Sequence, residues 1–100
     1  MTQRSVARVD TDRPARYGKQ LVSHLGRRNG GEWLDEEERG WIVLRSGRAE
    51  VSCVPGALNL VVEGHDDVLD GLEDVVARHL IRFGTHDELL VQWVREGATT

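Results

Sequence analysis

WIVLRSGRAEVSCVPGALNLVVE, running from Trp41 to Glu63, holds three apolar-rich runs separated by two turn signals. Trp41 to Arg45 reads as a strand, and Ser46-Gly47 as the tight turn that closes it. Ala49 to Val54 alternates, with Ala49, Val51 and Cys53 on one face and Glu50 and Ser52 on the other. Pro55-Gly56 marks the next turn. Ala57 to Glu63 repeats the alternation, with Leu58, Leu60 and Val62 facing one way and Asn59 and Glu63 the other. Turns this short join antiparallel neighbours, so the stretch is a meander. Its apolar face needs a covering layer.

The covering layer lies on either side. Downstream, Val68, Leu69, Leu72, Val75, Val76, His79, Leu80 and Phe83 recur with a seven-residue cycle, which predicts an amphipathic helix that Gly84 stops. Asp66 and Asp67 are expected in its first turn and Arg78 and Arg82 near its end, complementing the helix dipole. Glu88 to Arg95 reads as a last strand, with Leu89, Val91 and Trp93 alternating against Leu90, Gln92 and Val94. Upstream, Ser5 to Asp10 reads as a strand with Val6 and Val9. Asp12 is expected as N-cap and Pro14 in the first turn of a helix that runs to about Arg28. Its inward stripe would be Tyr17, Gly18, Leu21, His24 and Leu25, with Asn29-Gly30-Gly31 as the stop. Glu32-Trp33-Leu34 is a short strand before the charged loop Asp35 to Arg39.

The fold class is α+β. We expect a two-layer sandwich in the order β-α-β-β-β-β-α-β, an antiparallel sheet with two helices on one face. At 100 residues it is a single domain, residues 1–100, with an ordered core from about residue 5 to 96. With Glu32–Leu34 as a strand, the favoured reading, four strands separate the helices, which then run antiparallel; as a loop it would leave three strands and parallel helices. The antiparallel arrangement is expected to put His24 and His79 at opposite ends.

Composition excludes several classes. One cysteine, Cys53, leaves no internal disulfide and no thiolate zinc site. No apolar window approaches a membrane span, and no secretory signal is visible, so a cytoplasmic location without membrane contact is expected. The formal charge of −4 divides unevenly, with a basic excess from Met1 to Gly31 and an acidic excess beyond it. Nucleic acid is not an expected partner for such a chain. The pattern suits head-to-tail self-association, for example a homodimer, or an anionic ligand on the basic helix face of Arg13, Arg16, Lys19, Arg27 and Arg28.

Two blocks carry a family resemblance. Ala7-Arg8-Val9 and Thr11, then Arg16-Tyr17, Gln20-Leu21 and His24, form the opening. Leu72 to Val76, His79-Leu80, Arg82-Phe83, Glu88-Leu89 and Trp93 form the closing block. The chain resembles the bacterial domain-of-unknown-function family numbered 2218. It departs from that pattern at Leu25, where an aromatic is usual, and in Gly84-Thr85-His86, which usually carries an aromatic and an Arg. Some members look fused to siderophore-interacting flavin reductases, so the resemblance implies an iron-uptake setting and a siderophore-related protein as partner. It implies no activity, since family alone does not fix chemistry.

Three readings of function follow. The first is a non-catalytic binding or accessory domain holding an anionic small molecule near His24, His79, Tyr17, Arg16 and Arg82. The second is a small enzyme using His24 or His79 with Tyr17 as acid and base. The third is an oligomerising module without ligand. No cofactor is expected. No metal is expected either, because His65-Asp66-Asp67 and His86-Asp87-Glu88 bracket a helix roughly 27 Å long and adjacent residues diverge. Cys53 sits on an apolar strand face, where a thiol is usually inert, and neither Ser23 nor Ser52 stands in a nucleophile elbow. Trp33 and Trp41 flank the acidic loop, where core or edge packing is expected of them and a partly exposed pair would instead line a pocket or an interface.

Overall fold

The computed structural model describes residues 2–84 and 89–96. Strands β1 (Thr2–Asp10), β2 (Gly31–Leu34), β3 (Arg39–Leu44), β4 (Gly47–Val54), β5 (Ala57–His65) and β6 (Val94–Glu96) form one sheet in the spatial order β2-β3-β4-β5-β1-β6. Every neighbouring pair is antiparallel. Helices α1 (Pro14–Asn29) and α2 (Leu69–Phe83) cover one face of it. The order is β-α-β-β-β-β-α-β, an α+β sandwich as the patterning predicts.

Alternation places the core. Ser5, Ala7 and Val9 of β1 face the helices, as do Ala49 and Val51 of β4 and Leu58, Leu60 and Val62 of β5. Val6 therefore points to the open face, because successive strand residues alternate. The same parity separates the two tryptophans. Trp33 pairs with Gly40 on the helix side, whereas Trp41 pairs with Glu32 on the open side. They line no common pocket.

Glycines cut the seats for the helices. Gly47 and Gly64 are cross-strand partners. A Cβ at Gly64 would stand 2.6 Å from Leu72 Cδ1, and one at Gly47 would stand 2.8 Å from the same atom. Leu72 thus sits in a notch that only two glycines leave open. On α1, Gly18 fits against the Trp33 ring, where a Cβ would lie 2.8 Å from Cη2.

The helices run antiparallel. Tyr17, near the start of α1, lies beside Gly84 at the end of α2, and Asn29 at the end of α1 shares a cleft with Gly71 and Val75 of α2. Local details differ from the expectations. Asp12 does not cap α1; the Thr11 hydroxyl accepts the Arg13 N–H at 3.1 Å, and the helix starts one residue later than an Asp12 cap requires. Asp66 and Asp67 precede α2, and Asp70 is its first-turn acid. The last strand is shorter than Glu88 to Arg95. Leu89, Val91 and Trp93 do alternate toward the core, but ladder pairing begins only at Val94; Glu88 lies outside the described residues.

Arg95 ties β6 back to α2. Its guanidinium donates to both Glu73 carboxylate oxygens, at 3.2 and 3.3 Å, and also to Asp70. Two parallel N–H donors on one carboxylate fix direction as well as distance.

The notch predicts a coupled pair of substitutions. Gly64→Ala should lower the free energy of unfolding by about 1–3 kcal/mol through overpacking. In a Leu72→Ala background most of that extra loss should vanish, because the clashing atom is gone. Guanidinium denaturation of the two single variants and the double variant measures the coupling.

Candidate functional site

The apolar stripe of α2 is wider than one row. Leu69, Leu72, Val76 and Leu80 are buried against the sheet. Val75, His79 and Phe83 form its shoulder toward α1, each partly buried. On α1, Tyr17, Leu21, Val22 and Leu25 are buried, and His24 is exposed on the shoulder that faces α2. Val22 joins the core although the expected stripe omitted it. The two histidines thus sit on the seam between the helices, His24 open to solvent and His79 partly buried, rather than inside the core.

There they meet. The ring centroids of His24 and His79 are 5.2 Å apart, tilted by 43°. Phe83 presents to His24 at 5.4 Å and 78°, an edge-to-face contact. This corrects the expectation that antiparallel helices would part the two. Each histidine lies well inside its own helix, and the helices overlap along the seam.

A hydrogen bond orients His79. Its Nδ1 lies 2.7 Å from the Val75 carbonyl oxygen. A carbonyl only accepts, so Nδ1 carries the proton and Nε2 is left for a ligand. Neutral, Nε2 accepts from a hydroxyl; protonated, it donates to an oxyanion. A bond of this kind fixes ring and tautomer together.

His24, Leu25, Arg27, Asn29 and His79 line a cleft of ≈ 430 Å³. That volume is within the range of small-molecule sites. Asn29 donates its side-chain amide to the Leu25 carbonyl at 3.1 Å, which holds the carboxamide at the rim. A second cleft of ≈ 470 Å³ shares Asn29 and continues along the seam over Leu44, Val68, Leu72 and Val75. Its lining is mainly apolar.

The other candidates lie elsewhere. Tyr17 is buried and does not line the histidine cleft; it precedes His24 by two helical turns, about 10 Å. Arg16 lies one residue further back, about 12 Å from His24 along the axis. Arg82 is exposed one turn beyond His79. The structure therefore brings His24 and His79 together and adds Arg27 and Asn29, while Tyr17 and Arg16 stand apart. Arg27 was visible in the sequence only as one cation of a basic face. Lys19 of that face is 3.5 Å from Asp35.

His65, Asp66, Asp67 and Ser46 line a separate shallow cleft before α2. His86 lies outside the described residues. Among the described residues no group of three His, Cys, Asp or Glu side chains is placed to hold a metal ion. No helix among them is long and apolar enough to cross a membrane.

Comparison with known proteins agrees with the fold. The profile of a family described as an uncharacterized protein conserved in bacteria matches residues 6–94. The chain belongs to this family. An NMR structure of PA4090 from Pseudomonas aeruginosa is similar, with a TM-score of 0.73 and 29% sequence identity over 92% of this chain and 95% of that one. A search of the curated proteins finds no match.

Cys53 stands apart from the cleft. It is half-buried on β4, and burial, followed by the nearby Glu38 carboxylate, pushes its thiol above the ordinary value. A raised thiol pKa means less thiolate at any given pH, so the residue is a poor nucleophile near neutrality. Iodoacetamide should label it more slowly than free cysteine at neutral pH and should catch up only above the ordinary cysteine range of about 8.5. Mass spectrometry of timed samples reads this directly.

Proposed function

We propose that this chain is a non-catalytic binding domain for a small anionic molecule, held in the cleft between α1 and α2 by His24, His79, Arg27 and Asn29. The observation that carries the reading is the chemistry of the lining. Two imidazoles, a guanidinium and a carboxamide converge, and among the described residues no carboxylate lines the same cleft. Arg27 supplies a permanent positive charge with a planar fork suited to carboxylate or phosphate. His79 supplies an oriented Nε2 that serves a hydroxyl or an oxyanion according to its protonation. A hydroxylated acid uses all of these groups. The apolar continuation of the seam past Asn29 takes a less polar portion of the same molecule.

The iron-uptake setting implied by the family resemblance makes hydroxycarboxylate iron carriers the first ligands to try. The geometry asks for their acid and hydroxyl groups rather than for iron. Tyr17 lies away from the imidazole pair, which favours binding over acid/base catalysis.

Citrate, inorganic phosphate and glycerol, the last as an uncharged control, separate the contributions of charge and hydroxyl. Titration followed by ¹H–¹⁵N spectra should shift the amides around His24, Arg27, Asn29 and His79 with citrate or phosphate and leave them in place with glycerol. Arg27→Glu should abolish the shifts. His79→Gln should weaken binding about tenfold, the equivalent of one charge-assisted hydrogen bond. Spectra that stay unchanged with every acid at millimolar concentration would contradict the proposal.

A further inference from the structure

The face of the sheet turned away from the helices carries an ordered pattern that the helix cleft does not use. Register aligns its outward residues into rows that cross the strands. One row reads Glu96, Arg4, Glu63, Arg48 on β6, β1, β5 and β4. The next row, two residues along, reads Val94, Val6, Val61, Glu50 and then Trp41 on β3. A third brings Arg8, Asn59 and Ser52 together. Three valines, Val94, Val6 and Val61, therefore lie side by side between a charged row and a polar one, with Glu50 separating them from Trp41. Val94 is 63% exposed and Trp41 36%.

The charges of the first row alternate in sign. Cross-strand neighbours of opposite sign stabilise the sheet itself, so alternation alone has a local explanation. Two features go beyond it. The valines beside it lie on the face that neither helix covers, Val94 the most exposed of the three. The row is also sign-reversed about its midpoint, so that reading it backwards exchanges every acid for a base.

We propose that this face packs against the same face of a second copy of the chain, about a two-fold axis that runs along the strands between β1 and β5. That axis lays each row on its own reverse. Glu96 then faces the partner's Arg48, and Arg4 faces the partner's Glu63. Val6 meets the partner's Val61, and Arg8 meets the partner's Asn59. Glu50 lies over the partner's Val94, and Trp41, one strand further out, closes over the partner's edge. Sheets stacked in this way stay within roughly 30° of parallel and about 10 Å apart, a gap that paired Arg and Glu side chains span. Both copies use one surface, as a two-fold interface requires. The open face becomes the middle of a four-layer assembly, with a histidine cleft exposed at each outer side.

Sedimentation velocity tests this on the intact chain. From about 10 µM to 1 mM, a range over which modest interfaces form, the wild-type protein should pass from the chain mass of 11.2 kDa to twice that mass. Raised salt should weaken the dimer. Glu63→Arg sets a new guanidinium against the partner's Arg4, and Arg4→Glu sets a new carboxylate against the partner's Glu63. Each variant alone should dimerise at least about tenfold more weakly, since like charges then oppose across the interface. An equimolar mixture of the two variants restores every opposite-sign contact between copies, and should dimerise about as well as wild type. Neither variant's own sheet is repaired by mixing, so recovery cannot come from folding. A wild-type chain that stays monomeric throughout, or a mixture no better than its components, overturns the proposal.

Discussion

Leu72 reaches the sheet through a notch left by Gly47 and Gly64, and much else is set by that contact. It fixes how close α2 lies and where along the strands it stops. With the Leu69, Leu72, Val76 and Leu80 row committed to the sheet, the row of Val75, His79 and Phe83 turns sideways. Gly18 does the same service for α1 against Trp33. Two helices seated at fixed heights leave one seam between them, and both histidines stand on it. Close packing leaves little freedom for either helix to slide, since interiors tolerate few voids or overlaps.

Periodicity carried most of the fold. The two-residue alternation in Ala49–Val54 and Ala57–Glu63 and the helical cycle in Val68–Phe83 are local signals, and they are visible without knowing any partner. The terminal details depend on contacts between distant segments. Whether a strand pairs at Leu89 or only at Val94 is decided by where β1 offers free backbone groups, which no window around residue 90 contains. The start of α1 turned on a one-residue shift of the N-cap from Asp12 to Arg13, near the usual error in reading helix ends.

The histidine cleft was half legible. A seven-residue cycle shows that His24 and His79 lie on apolar sides of their helices, but it does not separate the floor of a stripe from its shoulder. Their meeting depends on the axial offset of α1 and α2, and that offset comes from glycine seats on strands far away in sequence. Arg27 had no local mark to single it out from Arg13 or Arg16; its neighbours on the other helix give it its place. The rows on the open face were equally hidden. Glu96, Arg4, Glu63 and Arg48 are scattered along the chain, and only the register of three strand pairs sets them in line.

The placement of β1 has a consequence for how the chain is made. Of these six strands, the first to be synthesised lies inside the finished sheet, between β5 and β6. Thr2 pairs with His65, so β1 waits with its backbone unpaired until β5 has followed the whole meander out. Its other edge waits longer, for β6, the last of the six to be made. Closing such long-range pairs is slow, because the loop entropy is lost before the contacts form. In the interval α1 and the β2–β5 meander can assemble locally, while β1 stays an open strand edge, the kind of surface that pairs with the wrong neighbour. Arg4 and Arg8 on that strand give the waiting segment charge, which discourages early association.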